Sequence, residues 1–277
     1  MRRILKTLGV LAAGYVLLVG GLWAGQRHLI FFPSRNSPPP VTEFLPTGSD
    51  IVLHTKDGLE LDAWWVAPAP GVPDRGQAVL FAPGNGGNRG GRTVFAQNLA
   101  DQGFHVLLMD YRGYGGNPGT PSADGLHLDA LAAQQAIVDR GFEPGSIIYF
   151  GESLGTGVVS RLASEVPPGA IVLRSPFTTL ADVAASQFRI VPPSLLTAIM
   201  RDHFDVVNNI AASAIPTTVV YGTADTTVPT KLSMEVADRA GNLFERLVIE
   251  GAGHNDAVWA SGQITDAVVR IGDAIRP

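Results

Sequence analysis

The stretch "SIIYFGESLGTGVVSRLASE", residues 146–165, decides how the sequence is interpreted, because a strand-like segment runs directly into a helix-like one. Residues 147–151 form a short apolar run rich in β-favouring side chains, and residues 156–165 have the composition of a helix. Ser153 stands between them, with glycine two positions before it and two positions after it. The pattern predicts a sharp strand-to-helix turn with a serine at its apex.

The G-x-S-x-G pattern of residues 151–155 is short, and its strand–turn–helix setting is what makes it informative. This setting is that of a nucleophile elbow. The tight turn forces Ser153 into a strained backbone region, and glycine on both sides relieves the clashes that larger residues would cause. The turn also aims the hydroxyl outward, so we predict that Ser153 is a reagent and not only part of the bend.

The rest of the chain predicts an α/β fold with a mostly parallel sheet of eight strands and helices on both faces. Continuous apolar runs that alternate with helix-like segments are typical of such sheets. The eight runs are residues 51–55, 59–67, 78–82, 105–110, 147–151, 170–173, 217–221 and 246–250. Residues 176–214 interrupt the alternation with apolar helix-like pieces, which predicts a small helical lid. Ligands should lie beyond the carboxyl ends of the strands.

A serine needs a neighbouring base, and in this type of fold the order along the chain is serine, acid, histidine. Only His203 and His254 follow Ser153. His254 lies in a glycine-rich loop directly after the last strand and is the predicted base, whereas His203 lies among mixed charges in the lid. Asp225, after the preceding strand, is the predicted orienting acid, and Asp182 is the alternative.

A tetrahedral oxyanion needs two hydrogen-bond donors. The predicted donors are the backbone N–H groups of Leu154, which follows the nucleophile, and of Asn85, in the glycine-rich loop "APGNGGNRGG" of residues 82–91. The same loop does not fit a dinucleotide fingerprint, because Arg89 occupies the position of the third glycine. The histidines lack metal-ligand spacing, so neither a cofactor nor a metal is expected.

The overall composition excludes several other classes of function. The chain has 25 acidic and 20 basic residues, a net charge of −5, and no basic cluster beyond its N-terminus, so a nucleic-acid partner is not expected. It has no cysteine, which excludes disulfides, thiolate metal sites and a cysteine nucleophile.

The N-terminus predicts a membrane anchor. Residues 7–26 carry no charge, and as a helix they would span about 30 Å, the thickness of a bilayer's hydrocarbon core. A cleaved signal peptide is the main alternative, although Leu22 and Trp23 do not fit a small-residue cleavage site; a buried core helix is the other. Cations at positions 2, 3 and 6, against those at 27 and 35, favour a cytoplasmic N-terminus with the rest of the protein on the opposite side.

Several motifs together resemble the α/β-hydrolases, and more narrowly their membrane-anchored BEM-type (bud-emergence) group, which is similar to serine aminopeptidase-type hydrolases and protein depalmitoylases. The matching stretches are "QRHLIFFPSR", "PGNGGN", "MDYRGYGGNPGTPSADGLHLDA", "FGESLG", "RSPFTTLADV", "YGTADTTVP" and "GAGHND". The resemblance implies a Ser153–Asp225–His254 triad. It also implies oxyanion donors at Asn85 and Leu154.

Two residues depart from the pattern of that group. Pro83 stands where its members usually have histidine, and Arg174 stands where an acidic residue is common.

The sequence predicts three parts of the chain. They are an anchor over residues 1–30, a proline-rich extended linker over 31–49, and an α/β-hydrolase domain over 50–277 with the lid at 176–214.

The sequence therefore predicts a membrane-anchored serine hydrolase that cleaves carboxylester or thioester bonds of a small or lipid-like acyl substrate. The alternatives are an aminopeptidase or amidase on the same fold, and a non-catalytic scaffold protein that has kept the triad. If the N-terminal helix is only an anchor, deletion of residues 1–26 should release a soluble, active protein.

Overall fold

An eight-stranded sheet lies between two layers of helices in the computed structural model, which describes residues 2–188 and 191–276. The strands are β1 (Gly48–His54), β2 (Glu60–Val66), β3 (Ala78–Ala82), β4 (His105–Met109), β5 (Ile147–Glu152), β6 (Ala170–Arg174), β7 (Thr217–Gly222) and β8 (Leu243–Ile249). Their order across the sheet is β1-β2-β4-β3-β5-β6-β7-β8. Strand β2 is antiparallel to both its neighbours, and the other adjacent pairs are parallel. All eight predicted strands are present, and the α/β-hydrolase fold is confirmed.

Helices cover both faces of the sheet. The helices of the described residues are α1 (Arg2–Ile30), α2 (Thr93–Ala100), α3 (Ala123–Val138), α4 (Leu154–Glu165), α5 (Leu180–Gln187), α6 (Pro193–Ile199), α7 (Val206–Ala211), α8 (Thr230–Arg239) and α9 (Gly262–Ala274). Helices α2 and α9 pack on one face, and α3, α4, α7 and α8 pack on the other. This arrangement leaves the carboxyl ends of the parallel strands free to carry a site.

The central strands are apolar except at their ends, because both of their faces are buried. In β5, Ile147 and Tyr149 point into the core beneath α3 and α4, while Ile148 and Phe150 point into the core beneath α2 and α9. Successive side chains of a strand point to opposite faces, so the middle of a strand covered on both sides has no solvent-facing position for a polar side chain. The structure thereby explains the continuous apolar runs of the sequence.

The predicted lid of residues 176–214 divides into two parts. Helices α5 and α6 lie over the carboxyl end of the sheet, and we call these two helices the lid. Helix α7 instead returns to the main core, where Val206, Val207 and Ile210 are buried against α4 and α8. Residues 189 and 190, within the predicted lid, lie outside the described part of the chain.

The segment predicted as an extended linker packs on the body of the protein. Phe32–Pro33 pairs in parallel with Gly86–Gly87, and Val41–Glu43 forms a short 3-10 helix. Val41 and Leu45 are fully buried. The proline-rich composition favours an extended chain, but these apolar side chains are buried and hold it against the sheet. The chain after α1 is therefore fixed, and this sets the position of α1 itself.

Candidate active site

The turn between β5 and α4 has the strain that the sequence predicts. Ser153 has φ of 50° and ψ of −112°, a conformation that residues with a side chain rarely adopt. A Cβ atom at Gly155 would lie 2.1 Å from the carbonyl oxygen of Ala82, and one at Gly151 would lie 2.7 Å from the carbonyl oxygen of Gly155. The two glycines are required by this close approach of backbones, since neither has a positive φ.

Replacing Gly155 with alanine should destabilise the protein by about 1–3 kcal/mol or more, because the new methyl group meets the backbone of β3, which cannot move aside. Urea unfolding measures the effect. The matched control is Gly145→Ala, where a Cβ meets no atom within 4 Å. Equal unfolding midpoints for the two variants would show that the turn after β5 accepts a methyl group at residue 155.

The structure brings Ser153, Asp225 and His254 together. Asp225 follows β7, and His254 lies in the loop after β8, so both reach the edge of the sheet at which Ser153 emerges. His254 Nε2 lies 3.0 Å from Ser153 Oγ, and His254 Nδ1 lies 2.6 Å from Asp225 Oδ2. The chain of contacts runs from carboxylate to imidazole to hydroxyl, which is the geometry by which a base activates a serine.

The carboxylate of Asp225 is held by two further hydrogen bonds. The backbone N–H groups of Thr227 and Val228 donate to its Oδ1 at 3.0 and 2.9 Å. Burial by itself would raise the pKa of Asp225, but the hydrogen bond and charge of His254 and the Val228 amide outweigh it and hold this pKa below its ordinary value. Asp225 is therefore ionised at neutral pH and can accept the Nδ1 proton of His254, which leaves Nε2 free to face Ser153.

The alternative acid, Asp182, and the alternative base, His203, do not lie in this chain of contacts. The hydroxyls of Thr178 and Thr179 donate to Asp182 Oδ2 at 2.6 and 2.7 Å, and the Asp182 amide donates to Thr179 Oγ1 at 3.1 Å. These reciprocal bonds cap the first turn of α5. His203 is exposed on the surface. The geometry therefore favours Asp225 over Asp182 and His254 over His203.

The two amides expected to bind an oxyanion both lie beside Ser153, since Asn85, Ser153 and Leu154 line one cavity. Leu154 is the first residue of α4, where a backbone N–H has no partner within the helix. Among the hydrogen bonds of the described residues, the Asn85 N–H donates to no backbone acceptor. The positive end of α4 adds to the attraction for a negative oxygen at this point.

The loop that carries Asn85 is fixed through its carbonyl groups. Tyr111 donates its hydroxyl proton to the Pro83 carbonyl at 2.8 Å, and Tyr114 donates to the Asn85 carbonyl at 3.1 Å. Both tyrosines are buried. Pro83 replaces the histidine that is usual in the group this chain resembles, and a proline suits this position because only its carbonyl is used.

Arg174 has a role that the sequence did not reveal. Its Nη2 donates to the backbone carbonyl of His254 at 2.5 Å, and its guanidinium carbon lies 4.5 Å from the ring centroid of Trp259. Trp259 in turn donates its indole N–H to the carbonyl of Gly253 at 2.8 Å. Arg174 and Trp259 thus hold the loop that carries the imidazole. In the sequence, the only indication of this role was that Arg174 stands where the resembling group commonly has an acidic residue.

Replacing Arg174 with glutamine should lower kcat about tenfold with little change in KM, because loss of one charge-assisted hydrogen bond frees the His254 loop. Ester hydrolysis at saturating substrate measures this. Arg140→Gln is the matched control, since that guanidinium lies over Trp65, on a different part of the sheet. An equal loss in both variants would mean that Arg174 does not position His254.

The hydroxyl of Ser153 faces an apolar cavity beneath the lid. Its walls come from the lid helices, from the residues around Ser153, and from the end of α1; the lining residues are Leu22, Trp23, Gln26, Leu29, Ile30, Asn85, Ser153, Leu154, Phe177, Leu180, Val183, Ala184, Gln187, Phe188, Leu196, Ile199, Met200, Thr227 and Val228. Among these described residues none is acidic or basic. An uncharged wall of this kind favours the hydrocarbon part of a ligand.

The end of α1 is joined by polar contacts to the last residue of the lid and to the chain just after it. Gln26 donates to the carbonyl of Ile199 at 3.3 Å and accepts from the amide of Arg201 at 2.7 Å. Arg27 forms an ion pair with buried Asp202 at 2.8 Å, and Asp202 also accepts the Ala123 amide at 2.8 Å. Residues 22–26 therefore form part of the cavity wall. Deletion of residues 1–26 would remove Leu22, Trp23 and Gln26 from this wall. The activity of the shortened protein stays a prediction.

The first two-thirds of α1 contacts little of the protein. Large apolar side chains from Ile4 to Leu18 are exposed, so this part is not a buried core helix. Within the described residues, α1 is the one helix that is long and apolar enough to cross a membrane.

Comparison with known proteins places the chain in a family. Residues 77–205 match a model of the α/β-hydrolase fold. A Mycobacterium tuberculosis protein of uncharacterized function, Rv2307c, is 40% identical over 269 residues, which cover 96% of this chain and 93% of that protein. The Danio rerio lysophosphatidylserine lipase ABHD12 is 31% identical over 224 residues, 69% of this chain, and this region spans 58% of the lipase.

The solved structures agree with the fold. The Pyrococcus furiosus esterase Pf2001 has a TM-score of 0.68 at 23% identity, covering 88% of this chain and 100% of the esterase chain. At this level of identity the likeness concerns the fold alone. The chain belongs to the α/β-hydrolase superfamily, in one family with the mycobacterial protein Rv2307c.

Proposed function

We propose that this protein is a membrane-anchored serine hydrolase that cleaves the ester or thioester bond of a lipid-like acyl substrate. The observation that carries the proposal is the 3.0 Å contact between His254 Nε2 and a Ser153 hydroxyl that faces an uncharged cavity. A nucleophile placed against apolar walls is suited to a carbonyl group that carries a hydrocarbon chain.

The proposed reaction has two halves. Ser153 Oγ attacks the carbonyl carbon while His254 Nε2 accepts the hydroxyl proton, and Asp225 stabilises the resulting imidazolium. The N–H groups of Asn85 and Leu154 bind the oxyanion. The tetrahedral intermediate collapses, His254 returns the proton to the leaving alcohol or thiol, and an acyl-enzyme on Ser153 remains. Water, deprotonated by His254, then releases the acid and restores the serine.

An ester or thioester is favoured over an aminopeptidase substrate by the charge of the cavity. An aminopeptidase must hold a substrate ammonium group, and a buried ammonium needs a paired carboxylate. None of the described cavity residues is acidic. The name of one similar protein, a lysophosphatidylserine lipase, agrees with this choice.

The membrane part of the proposal rests on α1. Its 29 residues include an uncharged segment long enough to span a bilayer, and its apolar side chains are exposed to the surroundings. Cleavage of a signal peptide near Trp23 would remove part of the cavity wall, so an uncleaved anchor fits the site better. With Arg2, Arg3 and Lys6 on the cytoplasmic side, the catalytic domain lies on the opposite side. These features are those of the BEM-type group.

A substrate panel tests the proposal. Purified full-length protein in detergent is given p-nitrophenyl esters and acyl-thioesters of increasing chain length, together with aminoacyl anilides. We expect hydrolysis of esters or thioesters that improves with chain length, and none by Ser153→Ala. Preference for the anilides would instead establish an amidase, and a folded protein without activity on any of them would establish a scaffold.

A further inference from the structure

A second apolar surface lies on the outside of the protein, between α1 and the lid helix α6. It is a shallow groove lined by Tyr15, Val16, Val19, Gly20, Trp23, Leu195 and Ile199. Two of these side chains, Trp23 and Ile199, also line the cavity over Ser153. The groove and the cavity are therefore neighbours, separated by one layer of side chains.

The groove lies within the uncharged part of α1, and the polar contacts of this helix begin where the groove ends. The guanidinium carbon of Arg201 lies 5.4 Å from the ring centroid of Trp23. Just after α6, the Arg201 amide donates to Gln26, and Arg27 donates to Asp202. Tryptophan is frequent at the boundary between a bilayer and water, and a long arginine side chain can keep its charged end in water beside apolar surface. If α1 spans the membrane, the groove faces lipid, and the cavity lies at the boundary.

We propose that this groove is a lateral portal, through which the acyl chain of a membrane-resident ester passes between α1 and α6 to reach Ser153. The inference rests on the proposed hydrolase function and adds the source of the substrate. The ester carbonyl would lie at Ser153 while the far end of the chain stays in the groove, in contact with the bilayer. The released fatty acid would return by the same path.

The lining supports an acyl chain as the occupant of the groove. Seven residues line it, none of them charged, and the hydroxyl of Tyr15 is the one ionisable group among these described side chains. A chain that moves from bilayer to groove to cavity stays in apolar surroundings throughout. The alternative route through water would expose each methylene at a cost of about 0.8 kcal/mol.

The proposal can be tested by filling the groove at Gly20. Gly20 lines the groove, and a Cβ atom there meets nothing within 4 Å, so we expect a phenylalanine at this position to fill part of the groove. Gly14 is the matched control, since it lies on the same helix with equal space and outside the groove. The full-length proteins are reconstituted in phosphatidylcholine vesicles. Hydrolysis of p-nitrophenyl palmitate in the bilayer and of p-nitrophenyl butyrate in the water is then compared.

For Gly20→Phe we expect kcat/KM for palmitate, divided by kcat/KM for butyrate, to fall at least about tenfold. This factor corresponds to the loss of apolar contact by two methylenes of the acyl chain. Gly14→Phe should keep the wild-type ratio. An unchanged ratio in Gly20→Phe, or the same fall in both variants, would overturn the portal while butyrate hydrolysis still supports the hydrolase. A folded wild-type protein that hydrolyses neither these esters nor the acyl-thioesters of the substrate panel would overturn both proposals.

Discussion

Replacing Asp225 with asparagine should lower kcat by up to about 10⁴-fold, as the loss of the acid does in other serine triads. The carboxylate accepts the Nδ1 proton of His254 at 2.6 Å, and its depressed pKa keeps it charged at neutral pH. An amide at this position can donate to Nδ1, which favours the wrong tautomer and directs a proton toward Ser153. Steady-state hydrolysis of a long-chain ester measures the loss.

The matched control for this experiment is Asp182→Asn. Asp182 is the other acid that the sequence allowed, and in the structure it caps α5 through Thr178 and Thr179. We expect it to cost stability, measured by thermal unfolding, and far less activity than the change at Asp225. A 10⁴-fold loss in Asp182→Asn with an active Asp225→Asn would reverse the assignment of the acid.

Deleting residues 2–26 should lower kcat/KM for a long-chain ester about 50-fold more than deleting residues 2–18. Both deletions leave α1 too short to span a bilayer, but only the longer one removes Leu22, Trp23 and Gln26 from the cavity wall. Three substrate methylenes that lose burial at about 0.8 kcal/mol each correspond to roughly this factor. The assay uses p-nitrophenyl palmitate dispersed in detergent.

Butyrate hydrolysis serves as the control for the two deletions, since a short acyl chain reaches little of the wall formed by α1. Both truncated proteins should hydrolyse p-nitrophenyl butyrate at similar rates, which shows that the sheet and the triad remain folded. Equal palmitate activity in the two proteins would mean that α1 is an anchor alone, as the sequence first suggested.

Much of the candidate site could be predicted from the sequence because its residues stand at recognisable local positions. Ser153 is marked by its glycines, and Asp225 and His254 each follow an apolar strand. Parallel strands bring their carboxyl ends to one edge of the sheet, so residues far apart in the chain meet there. The oxyanion donors Leu154 and Asn85 were likewise predicted from their positions, after the nucleophile and in the glycine-rich loop, and the resemblance implied the same two residues.

The parts that the sequence did not predict depend on contacts between distant segments. Arg27 and Asp202 are 175 residues apart, and nothing local to either residue indicates the other. Leu22 and Trp23 fit an anchor equally well whether or not they also line a cavity. Arg174 reaches a backbone carbonyl, which leaves no trace in the side-chain pattern near His254. Only the three-dimensional arrangement shows that α1, the lid and Ser153 line one cavity.

Covalent labelling of Ser153 tests the central claim most directly. The full-length protein, its Ser153→Ala variant and its His254→Ala variant are each treated with a fluorophosphonate, and the modified peptide is located by mass spectrometry. We predict one adduct, on the peptide that contains Ser153, with strongly slowed labelling when His254 is replaced and no such adduct when Ser153 is replaced. A folded wild-type protein that takes up no label at Ser153 would contradict the claim that this hydroxyl is an activated nucleophile.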